Sequence, residues 1–154
     1  MRLEKSLYDR VGHLLSMLAL LGATIFLALY WNQFPNQIPS HYNAAGEIDG
    51  MSSKTHLIIF VVIGWSLFVL MSVVENFPQI WNTGVQVTEE NKERIYRVLK
   101  DLLTTIKLLL AFVFAYLTVQ ASSGENLPAL FLPVFLSALL GSMLFFVLKL
   151  FRVQ

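Results

Sequence analysis

The sequence predicts an all-α, polytopic membrane protein, in which four transmembrane helices form an up-down bundle with a folded outer loop. Of the 154 residues, 56% are hydrophobic and only 14% are charged, whereas a soluble domain has about 25% charged residues. The mean hydropathy is +0.63. A soluble domain of this size buries only about 60–70% of its surface, so a water-soluble monomer is nearly excluded. We therefore expect a single membrane domain, residues 1–154.

Four apolar runs of about 18 or more residues carry at most one charge each, which is the length that a bilayer core requires of a helix. They span residues 11–31, 57–74, 102–119 and 127–148. The first run follows Arg2, Lys5 and Arg10 as in a signal peptide, but it is longer than a cleaved apolar region, and we expect a retained helix. The alternation of a barrel strand is absent, so helices are the spanning structure.

The distribution of lysine and arginine predicts the orientation. One side carries Arg2, Lys5, Arg10, Lys92, Arg94, Arg97, Lys100, Lys149 and Arg152, and the other carries Lys54. Because cationic residues concentrate on the cytoplasmic side, both termini and the connection 75–101 are expected in the cytoplasm. The predicted location is the inner membrane of a bacterium, with segment 32–55 as the outer loop.

Several function classes are disfavoured by composition. A net charge of +1 without a basic patch argues against nucleic acid as a partner. The absence of cysteine excludes disulfides and thiolate catalysis. A hydrolase is disfavoured because the sequence has no serine–base pair and no HExxH motif. A transporter is disfavoured because no ionisable residue lies at the centre of a span. The lipid bilayer is the one partner that the composition predicts, and no cofactor is predicted.

Two stripes of small residues follow helical spacing. They consist of Gly12, Ser16, Ala19 and Ala23 on the first span and of Ser137 with Gly141 on the fourth. Small residues let helices approach closely in lipid. We expect packing within the bundle, and formation of a homo-oligomer is the alternative.

The outer loop 32–55 has no helical or strand periodicity, yet loops of this length are usually functional or disordered. Apolar anchors such as Ile38, Tyr42 and Ile48 predict that it lies folded on the helix ends. Its residues follow the pattern P-x-x-I-P-x-H-x-N-x-x-G-x-x-D-G. The candidates for ligand binding or loop organisation are His41, Asn43, Gly46, Glu47, Asp49, Gly50 and Lys54.

Three interpretations of these polar residues stay open. Asn43 and Asp49 are turn formers, so the residues could serve only as scaffold. They could also bind an external ligand or peptide. Finally, His41, Glu47 and Asp49 are candidate ligands for a divalent metal, which would suit a metal-binding membrane enzyme.

The pattern, placed between two spans and followed by Lys54, resembles the bacterial domain of unknown function at the N-terminal end of SdpI-type membrane proteins. The resemblance covers residues 20–74, with weaker similarity over 76–91. It implies a non-enzymatic protein of immunity or signalling, because such proteins protect against a secreted toxic peptide and transduce a signal from the membrane. The outer loop would then bind or block an external peptide or other ligand. A metal-binding enzyme and a small transporter are the alternatives.

One ion pair is predicted at the inner face. Glu75 ends the second span and Lys107 lies about five residues into the third, so an up-down bundle places both at a similar depth. We expect them within salt-bridge distance. The alternative is that Lys107 snorkels to the lipid headgroups.

Overall fold

The computed structural model describes residues 3–154 and contains four long helices. They are α1 (Leu7–Tyr30), α2 (His56–Val74), α3 (Lys92–Ser123) and α4 (Phe131–Val153). All four are long and apolar enough to cross a membrane. The predicted fold class, a multi-pass helical membrane protein, is confirmed. Arg2, one of the residues used for the orientation, lies outside the described residues.

Local capping fixes the start of α1. The Asp9 amide donates to Ser6 Oγ at 3.1 Å, and the Ser6 amide donates to Asp9 Oδ2 at 2.9 Å. This reciprocal pair is a capping box, which satisfies amides that have no partner inside the helix. The box also holds Asp9 in one orientation, which matters for the charged cluster described below.

Helix α3 is the centre of the bundle, because α1, α2 and α4 all pack against it. The contact with α1 is close at Gly12, where an added Cβ would lie 2.5 Å from Thr104 Cγ2. Gly12, Ser16 and Ala23 are buried, so most of the stripe on α1 packs inside the bundle as expected. By contrast, Ser137 and Gly141 on α4 are exposed to the bundle's surroundings, and their stripe takes no part in this packing.

Segment 32–55, the predicted outer loop, contains an antiparallel hairpin of β1 (Gln37–Tyr42) and β2 (Ile48–Ser53). The sequence correctly indicated a folded segment, but the expectation of a loop without strands was wrong. Residues of β2 alternate between half-buried and exposed. Two of the half-buried positions are Gly50 and Ser52, so the sequence of β2 does not alternate between apolar and polar residues. A register shift between Pro39 and Tyr42 further breaks the period in β1.

The hairpin packs against the helices through a small apolar core. Ile38 is fully buried and packs with Leu27 of α1, with Leu57 and Val61 of α2, and with Ala121 of α3. Burying one such side chain stabilises by about 1.5–3 kcal/mol. The hairpin is thus part of the bundle's packed structure.

Candidate functional site

Polar side chains gather at the two opposite ends of the bundle. The hairpin end comprises residues 31–55 together with the α3–α4 connection 124–130. The terminal end comprises the start of α1, the end of α2, the start of α3 and the end of α4. All seven outer-loop candidates lie at the hairpin end, and both members of the predicted ion pair lie at the terminal end.

Asn43 organises the tight turn between the strands. Its side-chain oxygen accepts from the amides of Ala45 at 2.9 Å and Glu47 at 3.0 Å, and its amide nitrogen donates to Glu47 Oε2 at 2.9 Å. Gly46 adopts φ +84°, a left-handed conformation that glycine allows without a steric penalty. Three of the predicted residues therefore shape the turn itself.

The turn docks on the α3–α4 connection. The Leu127 amide donates to the Gly46 carbonyl at 2.8 Å, and the Ile48 amide donates to Asn126 Oδ1 at 2.8 Å. A Cβ at Gly46 would lie 2.8 Å from the Leu127 carbonyl oxygen. Glycine is thus required there both by its backbone conformation and by the close approach of the two chain segments.

His41 and Asp49 form a cross-strand pair on the outward face of the hairpin. His41 Nδ1 lies 2.5 Å from Asp49 Oδ1, and the side chains are 73% and 42% exposed. Gly50 sits opposite His41 in the register, and a Cβ at Gly50 would lie 3.1 Å from His41 Cβ. The pair is exposed to solvent.

Lys54 closes the base of the hairpin. Its ammonium donates to the Trp31 carbonyl at 3.3 Å and lies 5.2 Å from the centroid of the Trp31 ring. Its backbone amide donates to the Asn36 carbonyl at 3.0 Å. Near the other end of the hairpin, the Tyr42 hydroxyl donates to the Glu125 carbonyl at 3.4 Å. Burial raises the pKa of the Tyr42 phenol, and neighbouring Tyr116 adds to the rise. The hairpin is thus tied to the bundle at both ends.

The candidate metal ligands do not converge. His41 and Asp49 meet, but the Glu47 carboxylate turns to Asn43. Within the described range 3–154, no three histidine, aspartate or glutamate side chains surround one metal position. The arrangement offers a paired imidazole and carboxylate on a rigid surface.

At the terminal end, Lys107 Nζ lies 2.6 Å from Glu75 Oε2, within the salt-bridge distance that the depth argument predicts. The Lys107 side chain is fully buried, and Glu75 is only 12% exposed. Lys107 therefore points into the bundle and does not reach toward headgroups. His13 adds a third group, with its Nδ1 3.5 Å from Lys107 Nζ.

A second ion pair lies beside the first, with Asp9 buried and Arg97 half-buried. Asp9 accepts from Arg97 Nη1 at 2.8 Å, and Lys100 Nζ lies 3.5 Å from the same carboxylate oxygen. The Thr104 hydroxyl is within 3.5 Å of Asp9 and 3.4 Å of Glu75, and it connects the two pairs. Charged groups from α1, from the end of α2 and from α3 thus form one network that is buried except for the half-buried Arg97, and we call it the charged cluster.

Sequence reasoning found two members of this cluster and missed the others. Asp9, Arg97 and Lys100 fell outside the apolar runs, and their charges were interpreted as flanking residues. The spacing of Ser6 and Asp9 is the one signal that could have drawn attention to Asp9, because it is that of a capping box. Nothing in the sequence marks the burial of Lys100, which follows from how α3 packs.

Comparison with known protein families gives a match over part of the chain. The family described as Domain of unknown function (DUF1648) matches residues 18–65. This stretch runs from the middle of α1 through the hairpin to the middle of α2. No curated protein and no solved structure matches the chain. The matched segment therefore centres on the hairpin and carries no assigned activity.

Proposed function

We propose that this chain is a non-enzymatic membrane protein whose hairpin binds or blocks an external peptide, in immunity or in signalling. The resemblance of the loop pattern to SdpI-type proteins supports a peptide as the ligand class. The family match covers residues 18–65 and so includes the hairpin, which supports the hairpin as the functional segment. The observation that carries the proposal is the free surface of β2.

Strand β2 offers both a face and an edge to an extended peptide. Asp49, Met51 and Ser53 alternate along its exposed face, and Met51 is 51% exposed. The sheet has two strands among the described residues, and β1 contacts α3. The Ile48 amide at the start of β2 is already bound to Asn126, so the edge offered to a peptide is the rest of β2, residues 49–53. Exposed sheet edges bind extended peptides through main-chain hydrogen bonds, while side-chain contacts supply specificity.

The rigidity of the hairpin favours binding. The turn is held by Asn43 and by the contact between Gly46 and Leu127, and the base is held by Lys54. A preformed surface loses little conformational entropy when a ligand is bound. On this view the patterned residues keep the hairpin in shape, and the paired His41 and Asp49 give the peptide a polar contact.

A photo-crosslinking amino acid at Met51, incorporated in living host cells, tests the proposal. We expect an adduct with a peptide of extracellular origin, identified by mass spectrometry. The matched control is the same group at Leu144, which is exposed on α4 and should yield lipid adducts. An absence of peptide adducts at Met51 under conditions that label Leu144 would refute the proposal.

A backbone variant tests whether the edge of β2 is used. Met51→Pro removes a main-chain donor, whereas Met51→Val keeps it and changes only the side chain. With the crosslinker moved to Ser53, the proline variant should lose the peptide adduct and the valine variant should retain it. Equal adduct yields in the two variants would show that the peptide does not add as a strand.

A further inference from the structure

A polar cavity opens beside the charged cluster at the terminal end. It has a volume of 210 Å³, and its lining includes Asp9 and His13 of α1, Ser72 of α2, Glu75, and Lys100 of α3. This volume has room for several water-sized groups at about 30 Å³ each. The cavity therefore lies where three helices bring their charges together.

The charges that line this cavity do not balance. Two carboxylates, Asp9 and Glu75, face three cations, Lys5, Arg10 and Lys100. Outside the lining, the carboxylates also have close partners, in Arg97 at 2.8 Å and Lys107 at 2.6 Å. The lining therefore carries an excess of positive charge, which favours an anion as its occupant.

Lys100 is the buried cation of this lining, and its side chain is 6% exposed. Its contacts within the described residues, to Asp9 Oδ2 and to the Leu3 carbonyl, are both 3.5 Å long. An ammonium group has three donors, and this one lines the cavity. The Ser72 hydroxyl, which also lines the cavity, has no partner among the described residues. Buried donors are thus left over on two sides of the same space.

Two further cations stand at the mouth of the cavity. Lys5 and Arg10 line it, are exposed and form no salt bridge within residues 3–154. An anion that enters would meet these two side chains first and Lys100 afterwards.

An adjoining cavity adds an apolar wall. Its volume is 490 Å³; it shares Lys5, Glu75 and Lys100 with the first cavity and adds Phe77 and Pro78. Phe77 is also 46% exposed on the outside. The distribution of lysine and arginine predicts that this end lies at the cytoplasmic leaflet, whose anionic lipids bind basic pockets between helices.

We propose that this cavity binds a phosphate-bearing anion, the headgroup of an anionic phospholipid, through Lys5, Arg10 and Lys100. The phosphate neutralises the excess positive charge, and the acyl chains lie against the apolar wall at Phe77. Binding there would stabilise the junction of α1, α2 and α3. This site is independent of the hairpin and of its ligand.

The test uses the full chain, purified in a mild detergent and titrated with phosphatidylglycerol, phosphatidylcholine or inorganic phosphate while native mass spectrometry counts bound molecules. The variant Lys5→Gln with Arg10→Gln removes the two exposed cations and leaves the buried cluster intact. The control, Lys149→Gln with Arg152→Gln, removes the same charge from α4 at the same end.

We expect tighter binding of phosphatidylglycerol than of phosphatidylcholine. Each cation removed should weaken it about fivefold, so the double variant at Lys5 and Arg10 should bind about 25-fold more weakly, and the α4 control should bind as wild type. If millimolar inorganic phosphate displaces phosphatidylglycerol, the anion site is supported, but its ligand is then free phosphate and the lipid part of the proposal is wrong. Equal binding of the two lipids, or equal losses in both double variants, would overturn the proposal.

Discussion

The hairpin end and the terminal end are both rich in polar residues, but they are built differently. Within the hairpin, side-chain hydrogen bonds join residues 2 to 8 positions apart, and the His41–Asp49 pair is exposed. In the charged cluster, contacts join residues 29 to 95 positions apart, and Lys107 is fully buried. Exposed pairs contribute little because water and salt screen them, whereas removal of one partner from a buried pair leaves an uncompensated charge.

The largest expected effect concerns which end faces outward. Single cysteines at Ser53, in the hairpin end, and at Ser123, the last residue of α3 beside it, should react with an impermeant thiol reagent in intact cells, because the lysine and arginine distribution predicts that this end lies outside. A cysteine at Thr88 should react only after the cells are opened. Labelling of Thr88→Cys in intact cells would reverse the orientation and move the hairpin into the cytoplasm.

Next in size is the loss of the buried ion pair. Glu75→Gln should lower the free energy of unfolding in detergent by about 3–5 kcal/mol, because it leaves Lys107 buried without its counter-ion. Glu89→Gln is the matched control, since Glu89 pairs with Lys92 while its side chain is 91% exposed, and it should unfold as wild type.

The swap of Glu75→Lys with Lys107→Glu should recover part of that loss, because the two changes are coupled through direct contact. Denaturant unfolding of the single and double variants measures the coupling. Additive losses would show that Glu75 and Lys107 act independently, and the contrast between the two ends would then lose its energetic basis.

A smaller effect is expected at the docked turn. Gly46→Ala should destabilise by about 1–3 kcal/mol, because it forces a side chain into a left-handed conformation and against the Leu127 carbonyl. Gly124→Ala is the control, since Gly124 also has a positive φ, of 75°, but no atom lies within 4 Å of an added Cβ. Thermal melting should show a larger loss for Gly46→Ala, and equal losses would mean that docking on Leu127 contributes nothing.

The smallest effect should come from the exposed cross-strand pair. A buried His41 or Asp49 would cost about 1–3 kcal/mol on truncation, but exposed pairs contribute about 0–1 kcal/mol. His41→Ala and Asp49→Ala should therefore melt close to wild type in detergent. If they also abolish the peptide adduct at Met51, the pair contacts the ligand. A large loss of stability in either variant would instead assign the pair to the scaffold.

Much of the hairpin end follows from short stretches of sequence. Asn43, Gly46 and Glu47 shape the turn by local hydrogen bonds and backbone conformation. The apolar anchors Ile38, Tyr42 and Ile48 sufficed to predict a folded segment. The strands themselves were missed because Pro39, Gly50 and Ser52 replace the apolar residues that mark a buried strand face. The contact between Gly46 and Leu127 joins segments far apart in the chain, and no local sequence pattern predicts it.

The sequence by itself determined the four helices, because each apolar run is long enough to satisfy its own backbone in lipid. Local side chains likewise determined the cap at Ser6 and Asp9. Only the tertiary structure decided that Lys100 and Lys107 point inward, since a lysine near a span's end can either snorkel or be buried. The orientation of such a lysine depends on the charges that neighbouring helices bring to the same depth. Here those charges are Asp9 and Glu75, and only the packing of the helices places them beside α3.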